Sequence, residues 1–597
     1  MNLKRIIAEL KKRNVVKEAL AYLVVAWMIL QVASTILPIF DSPAYTMRIM
    51  VIILLIGFPL WVVFSWIYTI TPKGIHKTAK NETTLPVKTK ILIGERLNKI
   101  IIISLVIAVI LLLYNQYKNQ PYVERGMAFS ENGLSGSLAV LPFINTKPDP
   151  ESDFLGFAIA DQIIGDLNYL QNIIVRSSSS VRKYDKQLID YEEVKEYLNV
   201  DYILIGNYLK EADRMRLNVE LVDMESNEML WRSEPIEVDF SNTFELQDIV
   251  SKRVLTGLNI KFSDKEFDRI NKDISNNPLA YEYFLKSISY PLTSDGDSLA
   301  LEMLKQSITL DSLYAPAHAE FGFRSQRIAL FEMQDPKKFI HTEKYYLKAL
   351  NLNPELLSAM GYLGVLYTES AKTEEAVRIT KKMIEINPNN ASARFSLGYL
   401  YRYIGMNRES VAEMEKALEL DPKNPNYARL GISYLNLNEF DKAFKTFAIA
   451  KETSYVLIWQ GITLYRKGDF KGALSYFDQT IDRQVEPYIV NSSIAFKAAI
   501  EGDFATGIKA VKTLEDSDIM DSEGWYYWSA LYSILGDREG GLRCLKRAVN
   551  GGYYNYPLLN TDPLLENLRG SPEFDSILEQ AKERHNYFKG LFFEKNT

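Results

Sequence analysis

The sequence predicts a multi-domain chain: N-terminal transmembrane helices, a small α/β (α+β) domain, and a C-terminal all-α solenoid of paired helices. Three observations carry this. Long uncharged apolar runs crowd the first 118 of 597 residues, helix and strand periods alternate through the middle, and small residues recur about every 34 positions after residue 278. Composition agrees with a folded protein, with 47% apolar and 24% charged residues.

Residues 19–40 and 49–70 contain no charge, and 100–117 is a shorter uncharged run. Each of the first two is long enough to cross a bilayer core of about 30 Å at about 1.5 Å per residue. Lipid offers backbone groups no partners, so each span is expected as a helix. The flanking basic residues orient them. Lys4, Arg5, Lys11, Lys12, Arg13 and Lys17 precede the first span, and Lys73, Lys77, Lys80, Lys88, Lys90, Arg96 and Lys99 lie between the second and third. The loop at 41–48 has only Arg48. The expected topology is a multi-pass protein of the bacterial inner membrane. Its N-terminus and 71–99 loop are cytoplasmic, and everything from about residue 120 is periplasmic. Residues 1–120 carry 15 Lys/Arg against 5 Asp/Glu, whereas the rest carries 54 against 70. An acidic body repels phosphates, which argues against nucleic acid as a partner.

A linker with no apolar period is expected at 119–136, followed by an α/β domain at 137–262. Strands are predicted at 137–143, 172–176, 201–209, 214–224 and 228–239, and helices at 154–170, 190–198 and 243–258. The blocks SLAVLPF (137–143), FLGFAIADQI (154–163), IVRSSSSV (174–181), VDYILIGNY (200–208) and LVDMESNEMLW (221–231) stand in order. Together they resemble the TolB-amino-terminal-like (FlgO-like) domain of bacterial membrane proteins. That resemblance implies repeats downstream, and membrane spans or a cytoplasmic effector upstream, such as a nucleotide cyclase or a winged-helix regulator. No stretch here is long enough to be that effector, since the cytoplasmic parts are about 18 and 30 residues.

From residue 278 a small residue recurs at Gly364, Gly398, Gly431, Gly461, Ala495 and Ala530, at intervals of 34, 33, 30, 34 and 35. A second small position follows at Ala376, Ser410, Ala443, Ala473, Gly507 and Gly541, and Pro354, Pro388 and Pro422 share one phase. This is the pattern of tetratricopeptide (TPR) repeats. About eight repeats are expected over 278–552, with a helical cap at 553–597. No helix pair buries its apolar face alone, so neighbours must stack.

The first helices of such repeats line a concave face. Phe395, Tyr399, Arg402, Tyr403, Tyr465, Arg466, Phe496 and Tyr527 are expected there, as contacts for a protein or peptide ligand. The Lys/Asn pattern that clamps an acidic C-terminal tail is not visible. Enzymatic readings are poor. The four histidines (His76, His318, His341 and His585) are scattered, and the single Cys544 excludes an internal disulfide or a multi-cysteine metal site. The Ser177–Ser180 run has no histidine base nearby. Neither a phosphate-loop motif nor a nucleophile elbow occurs. No cofactor or metal is therefore expected. The expected function is a membrane-anchored, non-enzymatic scaffold. The alternative is a sensory subunit signalling through its membrane head to a separate cytoplasmic effector.

Overall fold

The computed structural model describes residues 134–239 and 263–593 apart from short gaps, with scattered positions before them, chiefly 21–27, 68–71 and 74–77. The chain divides into two units, Met1–Gly126 and Met127–Thr597.

In the first unit, residues 21–27 are helical, as are the described positions among 51–62. Tyr22 joins them. Its hydroxyl donates to the Leu54 carbonyl at 2.9 Å, and its ring lies 5.8 Å from Phe58 and 6.1 Å from Trp61. A side chain at position 57 would strike the Tyr22 hydroxyl, so Gly57 permits this approach. Leu23, Val25, Trp27 and Ile29 are exposed. Tyr68–Thr71 pairs antiparallel with Gly74–Lys77. The last three residues of the run expected as a helix at 49–70 are therefore strand. The third run, 100–117, and most of the other two lie outside the described residues. Among the described residues, no helix is long and apolar enough to cross a membrane.

The second unit opens with a seven-stranded sheet. Strand β1 (Gly136–Val140) lies parallel between β3 (Ile173–Val175) and β4 (Tyr202–Glu211). Helices α1 (Leu155–Leu167) and α2 (Tyr191–Leu198) make the crossovers. Leu138, Ala139 and Val140 are fully buried, as expected of a central parallel strand. The short β2 (Ile144–Asn145), which the periodicity does not reveal, pairs with the distal half of β4. Strand β5 (Arg214–Asp223) runs antiparallel to β4 along its whole length. The single strand expected at 228–239 is instead two. β6 (Glu228–Arg232) pairs with the distal end of β5 and β7 (Ile236–Asp239) with its start. Pro235 cannot donate to a ladder, so the break falls at 233–235. The helix expected at 243–258 lies almost wholly outside the described residues.

Among the described residues, eight helix pairs follow. Their first helices are Pro278–Ser289, Ala315–Phe331, Leu357–Glu369, Ala391–Tyr403, Leu430–Asn436, Ser454–Lys467, Pro487–Glu501 and Ser522–Ile534. Their second helices are Ser294–Leu310, Pro336–Leu352, Thr373–Ile386, Asn407–Leu420, Phe440–Phe447, Phe470–Arg483, Phe504–Asp516 and Arg538–Asn550. The recurring glycines set the close approaches. A Cβ at Gly398 would lie 2.6 Å from Met414 Cγ, one at Gly431 2.5 Å from Phe447 Cζ, and one at Gly461 2.6 Å from Phe477 Cε1. Repeat 5 is the shortest, with helices of 7 and 8 residues. This is the 30-residue interval in the sequence.

The solenoid closes on itself. The Tyr554 amide donates to the Tyr403 carbonyl at 2.7 Å, and Asn555 Nδ2 donates to the Arg402 carbonyl at 3.0 Å. The tail does more than cap repeat 8. Its last helix, Pro572–Phe593, reaches repeats 3 and 4 through Arg584–Glu374 (2.6 Å), His585 Nδ1 against the Ile404 carbonyl (2.7 Å), and Phe592 edge-on to Tyr401 (4.9 Å).

Candidate functional site

The first helices of repeats 3, 4, 6 and 8 converge on one polar interior. Tyr399 donates to Glu369 at 2.6 Å and meets the Tyr403 hydroxyl at 3.0 Å, while Tyr403 donates to Asp521 at 2.7 Å. Arg402 pairs with Glu523 at 2.8 Å, stacks 4.6 Å from the Tyr399 ring and donates to the Arg429 carbonyl at 3.1 Å. Arg466 lies 3.4 Å from Asp562, which also accepts from Tyr526. Tyr527 stands edge-on to Trp459 at 5.0 Å.

Of the eight residues expected on the concave face, Tyr399, Arg402, Tyr403, Arg466 and Tyr527 belong to this interior. Tyr399, Arg402, Tyr403 and Tyr527 are buried, Arg466 is half-buried with its side chain covered, and all five are engaged by the chain itself. Phe395 stacks on Tyr427 at 5.0 Å, outside the polar cluster. Tyr465 and Phe496 meet each other at 5.2 Å, and Phe496 stacks on Phe477 at 5.4 Å, which is packing between repeats 6 and 7. Sequence reasoning missed Glu369, Arg429, Tyr455, Trp459, Asp521, Glu523 and Asp562. Asp521 and Asp562 look like ordinary helix caps, and both do cap. Nothing in their spacing signals that they face residues a hundred positions away.

Burial dominates the electrostatics. It pushes the Glu369 carboxyl up to about 7, with Asp521 adding to it against the Tyr399 hydrogen bond. Burial likewise pushes Glu523 up to about 7, with Arg402 opposing and Asp521 reinforcing. Burial, Glu369 and Asp521 together hold the Tyr399 phenol well above its ordinary range, opposed by Arg402 and Arg429. Among the described residues, five polar atoms in this interior have no hydrogen-bond partner: Arg402 Nε, Arg466 Nη1, Glu523 Oε1 and the Tyr527 and Tyr553 hydroxyls. Buried polar groups are normally paired, so such a cluster is unusual. Glu369, Arg429, Tyr455 and Trp459 at its edge keep partial exposure.

A second constellation fixes the α/β domain to the solenoid. Three successive inter-repeat loops, those with Pro354, Pro388 and Pro422, all touch it. Glu355 pairs with Arg269 at 3.1 Å, and its carbonyl accepts from Tyr169 at 3.4 Å. Asn387 Nδ2 donates to the Asn168 and Leu170 carbonyls at 2.8 and 3.1 Å, and Asn389 to that of Gln171 at 3.0 Å. Asp421 accepts from Ser180 at 2.7 Å, and Asn424 donates to Ser177 at 3.2 Å. Arg176, 3% exposed, joins both sides. It donates to the Leu198 carbonyl at 2.9 Å, to that of Leu420 at 2.5 Å, and to that of Asn199. The serine run is thus occupied in docking. Among the described residues, no cluster of His, Cys, Asp and Glu has the form of a metal site.

Residues 134–253 match the family described as HilA/YgeH-like transcriptional regulator, second domain, and residues 391–424 match the tetratricopeptide repeat. The first description differs from the TolB-like one expected for the same segment. Over 188 residues the chain is 29% identical to "Putative adenylate cyclase 3" of Rhizobium meliloti (strain 1021), covering 31% of this chain and 32% of that protein. Over 73 residues it is 36% identical to a chloroplastic protein of Arabidopsis thaliana, covering 11% and 22%. The chain thus spans at most about a third of these relatives. Similar solved structures include YrrB, described as a TPR protein with an unusual peptide-binding site (20% identity, 31% of this chain and 93% of that one, TM-score 0.22). Others are the Cut9–Hcn1 hetero-tetramer (14%, 57% and 77%, 0.34) and PilF of Pseudomonas aeruginosa (17%, 38% and 97%, 0.25). At these scores they carry no argument about function. The C-terminal half is therefore a solenoid of tetratricopeptide type, preceded by a small α/β domain similar to the second domain of HilA/YgeH-like regulators.

Proposed function

We propose that the chain is a membrane-anchored, non-enzymatic scaffold whose solenoid holds a polypeptide partner, with its body on the periplasmic side of a bacterial inner membrane. The observation that carries this is the eight-pair helical stack with Tyr- and Arg-rich first helices turned inward. In the closed form those side chains satisfy one another, so a partner reaching Tyr399, Arg402 and Tyr403 must displace Asp521 and Glu523. The half-buried Glu369, Tyr455 and Trp459 are its first contacts. The uncharged runs at 19–40, 49–70 and 100–117, with their basic flanks, support the anchor and its orientation. The likeness of the middle blocks to TolB-amino-terminal-like domains supports the same reading. A photo-crosslinker at Tyr455 or Trp459 in living cells, followed by mass spectrometry, should capture one recurrent polypeptide. Repeated absence of any crosslinked polypeptide refutes the scaffold. A reporter fused near residue 130 that is active only in the cytoplasm refutes the topology.

The match to a regulator's second domain and the shared segment with a cyclase-named protein favour a second reading. In it the body senses and the membrane head signals to a separate cytoplasmic effector of cyclase or transcription-regulator type. Co-purification of such an effector with residues 1–118 supports this reading, and its absence from the purified full-length protein refutes it.

A further inference from the structure

Repeats 4 and 8 meet at a seam. Arg402 pairs with Glu523 across it at 2.8 Å, and the Tyr554 amide and Asn555 Nδ2 donate to the Tyr403 and Arg402 carbonyls at 2.7 and 3.0 Å. Through it runs a line of four side chains. Glu369 ends the first helix of repeat 3, Tyr399 and Tyr403 belong to repeat 4, and Asp521 opens repeat 8. The successive oxygen–oxygen contacts along the line are 2.6, 3.0 and 2.7 Å, all of hydrogen-bonding length.

Three contacts need three hydrogens, and the two phenols own two. With both carboxylates ionised, Tyr399 donates to Glu369 and Tyr403 to Asp521. The 3.0 Å contact between the phenol oxygens then holds no hydrogen, and lone pairs face each other. One carboxyl proton completes the set. Asp521 is a poor place for it, because the same Oδ1 accepts the Glu523 amide at 2.9 Å and the helix start that it caps favours negative charge. On Glu369 the proton turns the line round: Glu369 donates to Tyr399, Tyr399 to Tyr403, and Tyr403 to Asp521.

The surroundings of Glu369 agree with this. Its side chain keeps partial exposure, so a proton can come and go. Burial, with Asp521 and Glu523, holds the carboxyl up at about 7, against the Tyr399 bond and Arg429. The phenols facing it are Tyr399, Tyr403 and, from the second helix of repeat 2, Tyr346. On the helices packed around its own, other carboxylates are already paired: Glu320 with Arg324 at 2.7 Å, Glu343 with Lys372 at 2.7 Å, Glu374 with Arg584 at 2.6 Å and Glu375 with Arg378 at 3.4 Å.

We infer that the Glu369–Tyr399–Tyr403–Asp521 line is a proton-operated clasp: a proton on Glu369 completes the seam between repeats 4 and 8, and its loss leaves the seam one hydrogen short and lets it open. The folded-state value is raised, so closure is fully favoured below about pH 4.5 and is lost as pH rises through about 7. The clasp deepens the scaffold reading, on which it rests only for what an open seam admits. Opening involves this chain alone, so it can fail while a polypeptide is still captured, and hold while none is.

The experiment is hydrogen–deuterium exchange of the purified full-length chain at pH 6 and pH 8, read by mass spectrometry and corrected for the intrinsic pH dependence of exchange. The peptide carrying the Tyr554 amide, whose bond to the Tyr403 carbonyl crosses the seam, should lose about tenfold in protection between the two. Helix Phe504–Asp516, which makes none of the seam contacts, should not change. Glu369→Gln supplies an amide donor in place of the carboxyl proton at every pH, and should keep at pH 8 the protection seen at pH 6. Tyr403→Phe removes the hydroxyl that joins the line to Asp521, and should lower protection at pH 6 and shrink the step. Four results overturn the proposal: equal protection of the Tyr554 peptide at the two pH values; an equal step in Phe504–Asp516, which marks general loosening; a step that survives in Glu369→Gln; or Tyr403→Phe behaving as the wild type does.

Discussion

Glu369→Gln should make the protein more stable at alkaline pH and change little at acid pH. The side chain accepts the Tyr399 hydroxyl at 2.6 Å, which a glutamine oxygen can also do, so the substitution chiefly removes the titration. In the folded chain this carboxyl titrates at about 7 instead of 4.5, because burial and Asp521 oppose its charge. Between those two values the unfolded chain has released the proton while the folded chain still holds it. The group's contribution to stability is therefore whole below about pH 4.5 and is lost as pH rises toward 7. At about 1.36 kcal/mol per pH unit the loss reaches about 3 kcal/mol, and partial exposure of the side chain lowers that to about 1–3 kcal/mol. Thermal unfolding of wild type and variant at pH 5 and pH 8 measures it. The variant's midpoint should exceed the wild type's by a few degrees at pH 8 and by almost nothing at pH 5. An equal difference at the two pH values would refute a raised carboxyl at this position.

Further outcomes follow from other parts of the second unit. Gly364→Ala should be tolerated or stabilise by up to about 1 kcal/mol, because its Cβ would sit 3.7 Å from Ile379 and Thr380. Gly398→Ala, at the matching position of the next repeat, should cost about 1–3 kcal/mol, since its Cβ would lie 2.6 Å from Met414 Cγ and 2.9 Å from the Ser410 carbonyl. Urea unfolding distinguishes the two. Arg176→Met should cost about 3 kcal/mol or more by stranding buried carbonyls, and limited proteolysis should then separate the α/β domain from the repeats. Arg216→Ala, at an exposed pair with Glu237, should change neither readout. Cys544 is buried, and burial followed by Glu515 pushes its thiol up to about 12. Iodoacetamide at pH 8 should leave it unmodified in the native protein and alkylate it in denaturant.

Local pattern was legible and long-range geometry was not. The glycine and alanine spacing reveals the helix pairs because close packing within a pair demands a small residue at a fixed offset. β1, β3, β4 and β5 are readable because burial on one or both faces leaves a hydrophobic signature. β2 is two residues long and leaves none. The break between β6 and β7 turns on Pro235, which reads as an interruption only once the pairing with β5 is known. For the interior, sequence could say that Tyr399, Arg402 and Tyr403 point inward. It could not say that Asp521 and Glu523 meet them, because the meeting depends on how sharply three intervening repeats curve. Small rotations at each interface accumulate, and no residue pattern reports their sum. The same holds for the inter-repeat loops. Their shared proline phase is visible in the sequence, but the domain they grip is far upstream.

The three docked loops also restrict how this protein can change over time. Repeat arrays commonly drift in length by gaining or losing whole modules, each exchange leaving neighbours undisturbed. Removal of one module between Pro354 and Pro422 would shift every later attachment point by a full step, so that Arg176 would face the wrong carbonyl and Ser180 the wrong carboxylate. Copy number in this stretch is therefore locked by an outside template. Module seven, which makes none of these attachments and supplies no side chain to the polar interior, stays free to diverge.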